Sequence, residues 1–208
     1  MQVRQKIIQV EIFGSFLTCI SFYYNHANIL SFIDYQGNRT RDFDTVEQMN
    51  ECLLDRWNSV VKPGDIVYTL GDTFFGDKET FKRDWPKFNG SKRLIVGNHD
   101  DIQFLANGAF FKKTLFWRMF TEHGLIFHHV PLNLMALFRG TSIECPLFQV
   151  HGHSHTMGSP KIGPYTSVCV EMRNYTPVNI EDLALEAKNY RENRWAIDKQ
   201  LFQSIGMI

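Results

Sequence analysis

"KRLIVGNHDD", residues 92–101, decides how the rest of the chain is read. Leu94, Ile95 and Val96 form a short apolar run with the β-branched content of a buried strand, and the run stops at Gly97-Asn98-His99-Asp100. The same pattern recurs three times. "DIVYTLGD" (65–72) ends at Gly71-Asp72, "GLIFHHVPL" (124–132) reaches His128-His129, and "CPLFQVHGHSH" (145–155) ends in Gly152-His153-Ser154-His155. Polar residues able to bind ions thus gather at the C-terminal ends of apolar strands, the edge where loops converge into sites in α/β sheets.

Helical segments separate these strands. In "TVEQMNECLLDRWNSVV" (45–61) Thr45 is placed to cap a helix whose Met49, Leu53, Leu54 and Trp57 recur at helical spacing. "ETFKRDWPKF" (79–88) reads as a short helix broken near Pro86. "SVCVEMRNYTP" (167–177) reads as a strand, and "NIEDLALEAKNYRENRWAIDK" (179–199) as one terminal helix with Trp195 docked inward. Near the start, alternation of Ile8, Val10 and Ile12 with Gln9 and Glu11 suggests a half-buried strand, and Phe16 to Tyr23 a second one. Strands alternating with helices predict an α/β domain spanning 1–208, with no linker or repeat.

Composition excludes several classes. The 22 Lys and Arg balance 22 Asp and Glu, so no global basic footprint marks a duplex DNA or anionic membrane binder. Cys19, Cys52, Cys145 and Cys169 are scattered without a CxxC pair, which disfavours a disulfide framework or a thiolate zinc site. Gln9 and Glu11 interrupt the apolar N-terminal stretch, so neither signal peptide nor membrane anchor is expected, and a reducing cytoplasm is. Clustered Asp, Asn and His supply oxygen and imidazole nitrogen, a donor set for Mn, Fe, Ni or Zn.

"GD", "GNHD", "HVP" and "GHSH", in this order and spacing, resemble the calcineurin-like metallophosphoesterase superfamily. "HANIL", "RDFDTVEQMNECLLDRWNSVVKPGDIVYTLGD" and "MRNYTPVNIEDL" extend the likeness, over most of the chain, to its small stand-alone bacterial and phage-type members. The resemblance implies a four-layer α-β-β-α sandwich of two mixed sheets flanked by helices. It also implies two metals about 3.5–4 Å apart that serve a hydrolytic attack on phosphorus. By position, Asp72 would bridge the two ions, Asn98, His129 and His153 would complete one, and His155 would serve the other. His99 would protonate the departing oxygen or stabilise the charge on the phosphate, with Asp100 orienting its ring.

One family motif is altered. Members end their first strand in Ser-Asp-x-His, whereas alignment on "HANIL" puts Ser21 at the Asp and Tyr23 at the His. A hydroxyl and a phenol are poor replacements for a carboxylate and an imidazole, so one or two ions per chain are expected. His26, Asp34 or Asp42 are candidates to rebuild the first site. His26 and Arg41 are candidate substrate contacts, and Arg39 and Arg41 are more readily solvated or structural. His151 is expected near the site without ligating, and His123 on the surface. Phe74, Phe75, Phe110, Phe111, Phe116 and Trp117 are expected in core or partner packing rather than a substrate cleft. The implied activity is hydrolysis of a phosphomonoester or phosphodiester on a small molecule or nucleotide, with nucleic acid less favoured. The alternative is an inactive member that binds a protein partner or sequesters a nucleotide.

Overall fold

The computed structural model describes residues 15–18, 22–23, 41–138 and 144–208. In chain order the strands are β1 (Ser15–Thr18), β2 (Phe22–Tyr23), β3 (Ile66–Thr69), β4 (Phe74–Phe75), β5 (Ser91–Ile95), β6 (Lys113–Leu115), β7 (Trp117–Phe120), β8 (Leu125–His128), β9 (Phe148–His151), β10 (Tyr165–Ser167) and β11 (Val178–Asn179). The α-helices are α1 (Val46–Val60), α2 (Lys78–Asp84), α3 (Ile102–Asn107), α4 (Ile180–Asn193) and α5 (Trp195–Ser204).

Two sheets organise the chain. The first runs β11-β1-β3-β5-β6 and the second β10-β9-β8-β7, with β2 and β4 as a separate pair. Both main sheets are parallel except at one edge, where β11 and β7 run antiparallel to their neighbours. Period-two alternation assigns the faces. In β3, Val67 packs toward the helices and Tyr68 toward the other sheet, and in β5 Leu94 and Ile95 divide in the same way. From the second sheet, Leu125, Phe127, Phe148 and Val150 meet Tyr68, Leu70 and Ile95 in the shared core, while Ile126 faces outward onto Leu137 and Leu147.

Thr45 caps α1 by accepting from the Gln48 N–H at 3.1 Å, and α1 then buries Val46, Met49, Leu53 and Trp57 as one stripe on the first sheet. Each such side chain contributes about 1.5–3 kcal/mol by leaving water. Pro86 ends α2, and the chain tightens into a 3₁₀ turn at Trp85–Lys87.

Two sequence expectations are corrected. The residues from 167 to 177 are not one strand: β10 ends at Ser167, and Val170–Met172 is a 3₁₀ turn closed by the Arg173 N–H on the Val170 carbonyl at 3.1 Å. The terminal helix is two helices, α4 and α5, broken at Arg194 with no Pro or Gly to announce it. There the buried Asp198 carboxylate accepts from Arg194 Nε, the Tyr190 hydroxyl and the Gly163 N–H, a set of partners that no local pattern shows. The strand expected over Ile8–Ile12 lies outside the described residues. Among the described residues no helix is long and apolar enough to cross a membrane, and Cys52 and Cys145 are free thiols.

Candidate metal centre

Four loops meet at the C-terminal edges of β3, β5, β8 and β9. After β3 the chain turns through Gly71 at φ 83° into Asp72 at φ 52°. Gly71 is there because nothing larger fits. A Cβ would lie 2.4 Å from the Gly97 nitrogen and 2.6 Å from His129 Nδ1. Gly97 answers from the other loop, since its own Cβ would sit 2.3 Å from Asp72 Oδ1. These two glycines let the β3 and β5 loops touch backbone to backbone.

Asp100 fastens that contact. Its carboxylate accepts the N–H groups of Asp72 (3.1 Å), Thr73 (2.8 Å) and Gly97 (2.8 Å). The described bonds of Asp100 organise backbone, because both oxygens face the N–H groups of the two loops. His99 is exposed, and its own N–H is held by Asp72 Oδ1 at 2.9 Å.

His129 is buried between these loops. Its Nδ1 donates to the Leu70 carbonyl at 2.6 Å, which fixes the tautomer and points Nε2 at the site. Around Nε2 stand Asn98 Oδ1 at 2.9 Å, His153 Nδ1 at 3.2 Å and Asp72 Oδ2 at 3.3 Å. Gln149 braces the loop that follows His129, accepting the Leu132 N–H and donating to the Val130 carbonyl, both at 2.7 Å. Asp72, His129 and His153 can each place a ligand atom within 4.8 Å of the others. Asn98 adds a fourth donor.

The electrostatics of the cluster follow from crowding. Burial by itself would raise the Asp72 carboxyl, but the hydrogen bond and charge of His129, with the His99 N–H, hold it below its ordinary range. Burial would likewise lower His129, yet the Asp72 hydrogen bond, the Leu70 carbonyl and the charges of Asp72 and Asp100 push it up. Burial and then the charge of His129 lower His153. A carboxylate, an amide oxygen and two imidazoles thus converge on one point, a donor set that could hold a metal ion.

Backbone strain marks the same place. Among the described residues six non-glycine positions have positive φ, and Asp72 and His153 (63°) are two of them. Each left-handed residue costs about 1–2 kcal/mol, and such residues collect at functional sites.

The comparisons with known proteins speak to kinship. No family model matches the chain. It is 31% identical over 170 residues, 76% of this chain and 83% of the relative, to Uncharacterized protein MJ1445 of Methanocaldococcus jannaschii. The chain belongs to the family of that archaeal protein. It is also 30% identical over 130 residues to Gene 66 protein of Mycobacterium phage L5, a match that takes in 60% of this chain and 56% of the phage protein. Among solved structures, the protein of unknown function AQ665 from Aquifex aeolicus superposes with a TM-score of 0.52 at 20% identity, covering 82% of this chain and 98% of that one. That likeness is one of fold.

The remaining expected site residues of this family member fall elsewhere. His155 is not part of the Asp72 cluster; its Nδ1 meets Glu171 Oε1 at 3.0 Å. Arg41, a candidate substrate contact, is buried, and its Nε donates to the same Glu171 oxygen at 2.8 Å, so its described role is an internal ion pair. Glu171 was not anticipated, although it follows the apolar run "SVCV" just as the other site residues follow theirs. Burial would raise its carboxyl, but the His155 hydrogen bond and the Arg41 charge bring it down to about 2. His151 spends both nitrogens on the Gly152 carbonyl (2.8 Å) and Ser159 Oγ (2.9 Å). His128 turns its Nδ1 to the Val130 carbonyl. Phe110 and Phe111 pack on the helix-side core, whereas Phe116 and Trp117 are exposed. Tyr23 lies on β2, and Asp42 is exposed beside Arg41. Ser21, His26, Asp34 and Arg39 lie outside the described residues.

Proposed function

We propose that this chain is a metal-dependent hydrolase of phosphate esters with the metallophosphoesterase fold. One observation carries the reading. Asp72 Oδ2, Asn98 Oδ1 and His153 Nδ1 crowd within 3.3 Å of His129 Nε2, an arrangement of acceptors that fits a divalent cation of the Mn, Fe, Ni or Zn kind. Mixed parallel sheets with their loops gathered at one edge, and helices outside, are the setting that the family resemblance implies.

A cation held by Asp72, Asn98, His129 and His153 would supply Lewis acidity toward phosphoryl oxygens and a lowered pKa for water at neutral pH. The chain's own residues do the rest. Asp72 brings the charge that retains the ion, and its Oδ1 fixes the His99 backbone. The Leu70 carbonyl keeps His129 presenting Nε2. His99, exposed on the same loop as Asn98, is placed to give a proton to the departing oxygen. Asp100 keeps the two glycine loops in register so that these groups stay together.

The test measures metal before turnover. Elemental analysis after Mn reconstitution and desalting is expected to give about one ion per chain from this half-site, with the ion lost in His129→Ala. Bis(p-nitrophenyl) phosphate and p-nitrophenyl phosphate then report hydrolysis, which His99→Ala is expected to lower by roughly two to four orders of magnitude while Mn is retained. Manganese that binds equally well without His129, or not at all to the intact chain, would sink the reading.

A further inference from the structure

Arg93 occupies a position that the sheet pattern reserves for an apolar side chain. On β5 it shares a face with Ile95, which lies in the core between the two sheets, and in register it stands beside Tyr68 of β3. Tyr68 is buried there between Phe120 and Phe127. The next partner along the row, Lys113 of β6, is a second cation.

At this edge the chain leaves the first sheet through Leu115, passes Phe116 and enters the second at Trp117. The sheets part here around a cleft of about 380 Å³, lined by Tyr68, Arg93, Lys113, Leu115, Trp117 and Arg118 among others, with no acidic residue among the described ones. Among the described residues no carboxylate pairs with Arg93, Lys113 or Arg118. Arg93 stacks its guanidinium 5.2 Å from the Tyr68 ring centre and donates Nη1 to the Tyr68 hydroxyl, but its Nε is buried with no acceptor. A half-buried guanidinium without a counter-charge is destabilising, and an anion in the cleft would remove that penalty.

Trp117 brings an exposed ring to the cleft, and Phe116 precedes it in the chain. Phe116 is 69% and Trp117 55% exposed, whereas Trp57, Trp85 and Trp195 are all buried. Exposed rings beside unpaired cations match one ligand chemistry, a phosphate joined to a flat base. A second copy of this chain fits poorly, because a two-fold contact here would set the same three cations against one another. We propose that the cleft binds a nucleotide, free or as one residue of a single strand, with its phosphate on Arg93, Lys113 and Arg118 and its base against Trp117. The site lies along the strands rather than at their metal-binding ends, and it does not depend on the chemistry proposed there.

The experiment follows Trp117 fluorescence in the full chain, in EDTA so that no hydrolysis intervenes. Probes are AMP, inorganic phosphate and a mixed-sequence oligodeoxynucleotide of about ten residues. Quenching by the oligonucleotide is expected, with log affinity falling against log salt at a slope of about −2 for three cations on a single strand. Lys113→Glu/Arg118→Glu, two changes at exposed positions, should weaken binding by about tenfold or more without altering the melting temperature. Arg93→Met should weaken it similarly. AMP matching the strand would assign the site to free nucleotides, and AMP binding more weakly would assign it to single strands. Inorganic phosphate matching AMP would overturn the proposal, since the base would then go unread. So would no quenching, quenching undiminished in the double variant, or a concentration-dependent dimer abolished by Trp117→Ala.

Discussion

Gly71→Ala tests the architecture of the candidate metal centre through a contact that only backbone makes. The new methyl would lie 2.4 Å from the Gly97 nitrogen, 2.5 Å from its Cα and 2.6 Å from His129 Nδ1, with φ held at 83°. Ordinary carbon contacts fall near 3.5–4.0 Å, so the two loops must separate by about 1 Å. That movement takes Asn98 away from Asp72 and strains the 2.6 Å bond from His129 to the Leu70 carbonyl. Left-handed backbone costs an alanine about 1–2 kcal/mol, and forced overpacking adds about 1–3 kcal/mol. A total of about 2–5 kcal/mol corresponds to a fall in melting temperature of roughly 5–15 °C for a chain of this size. Gly206→Ala is the matched control, because Gly206 has φ 71° but nothing within 4 Å of its would-be Cβ. It should show the conformational part alone, roughly 2–6 °C, and keep its Mn. Thermal melts and Mn content on both variants decide the matter. If Gly71→Ala melts with Gly206→Ala and binds Mn as the native chain does, the close approach of the two loops is not what builds the site.

Two further predictions concern buried charge. In the metal-free protein Glu171→Gln should lose about 3 kcal/mol of stability at pH 7, since lowering the carboxyl from 4.5 to about 2 measures the net gain left after burial opposes the His155 hydrogen bond and the Arg41 charge. That contribution is complete above pH 4.5 and disappears as pH falls toward 2, so urea unfolding should show the gap between variant and native chain narrowing on acidification; a gap that does not move would refute the pairing. Lys92 is pushed down to about 8 by burial, beside the Trp85 ring at 5.1 Å. Its charge therefore opposes folding at neutral pH, and the penalty fades as pH rises from 8 to 10.5. Lys92→Met should unfold at higher denaturant than the native chain at pH 7 and at nearly the same denaturant at pH 10, and an unchanged difference would show that the ammonium reaches water.

Much of the fold and half of the site were legible because the signals are local. Thr45 three residues before Gln48, and the spacing of Met49, Leu53 and Trp57, specify α1 whatever surrounds it. Gly-Asp and Gly-Asn-His-Asp after apolar runs mark strand ends, and those ends bring Asp72, Asn98, His129 and His153 together. Glu171 escaped notice because its partners, Arg41 and His155, are distant in sequence or on another turn. Asp100 shows the same limit: beside His99 in sequence it reads as a ring-orienting group, and only folding brings it three backbone N–H groups from two loops.

By itself, then, the sequence determined the α/β alternation, the strand edge at which polar residues gather, and a donor set of carboxylate, amide and imidazole suited to a transition metal. Those properties depend on periodicity, turn chemistry and ligand type, which are written residue by residue. Tertiary structure alone decided which imidazole nitrogen faces the site, that two glycines must touch for it to close, that α4 and α5 part at Arg194, and that Arg93, Lys113, Arg118 and Trp117 share one cleft. Each of these rests on atoms brought within a few ångströms from separate strands or helices, and no spacing along the chain encodes such a distance.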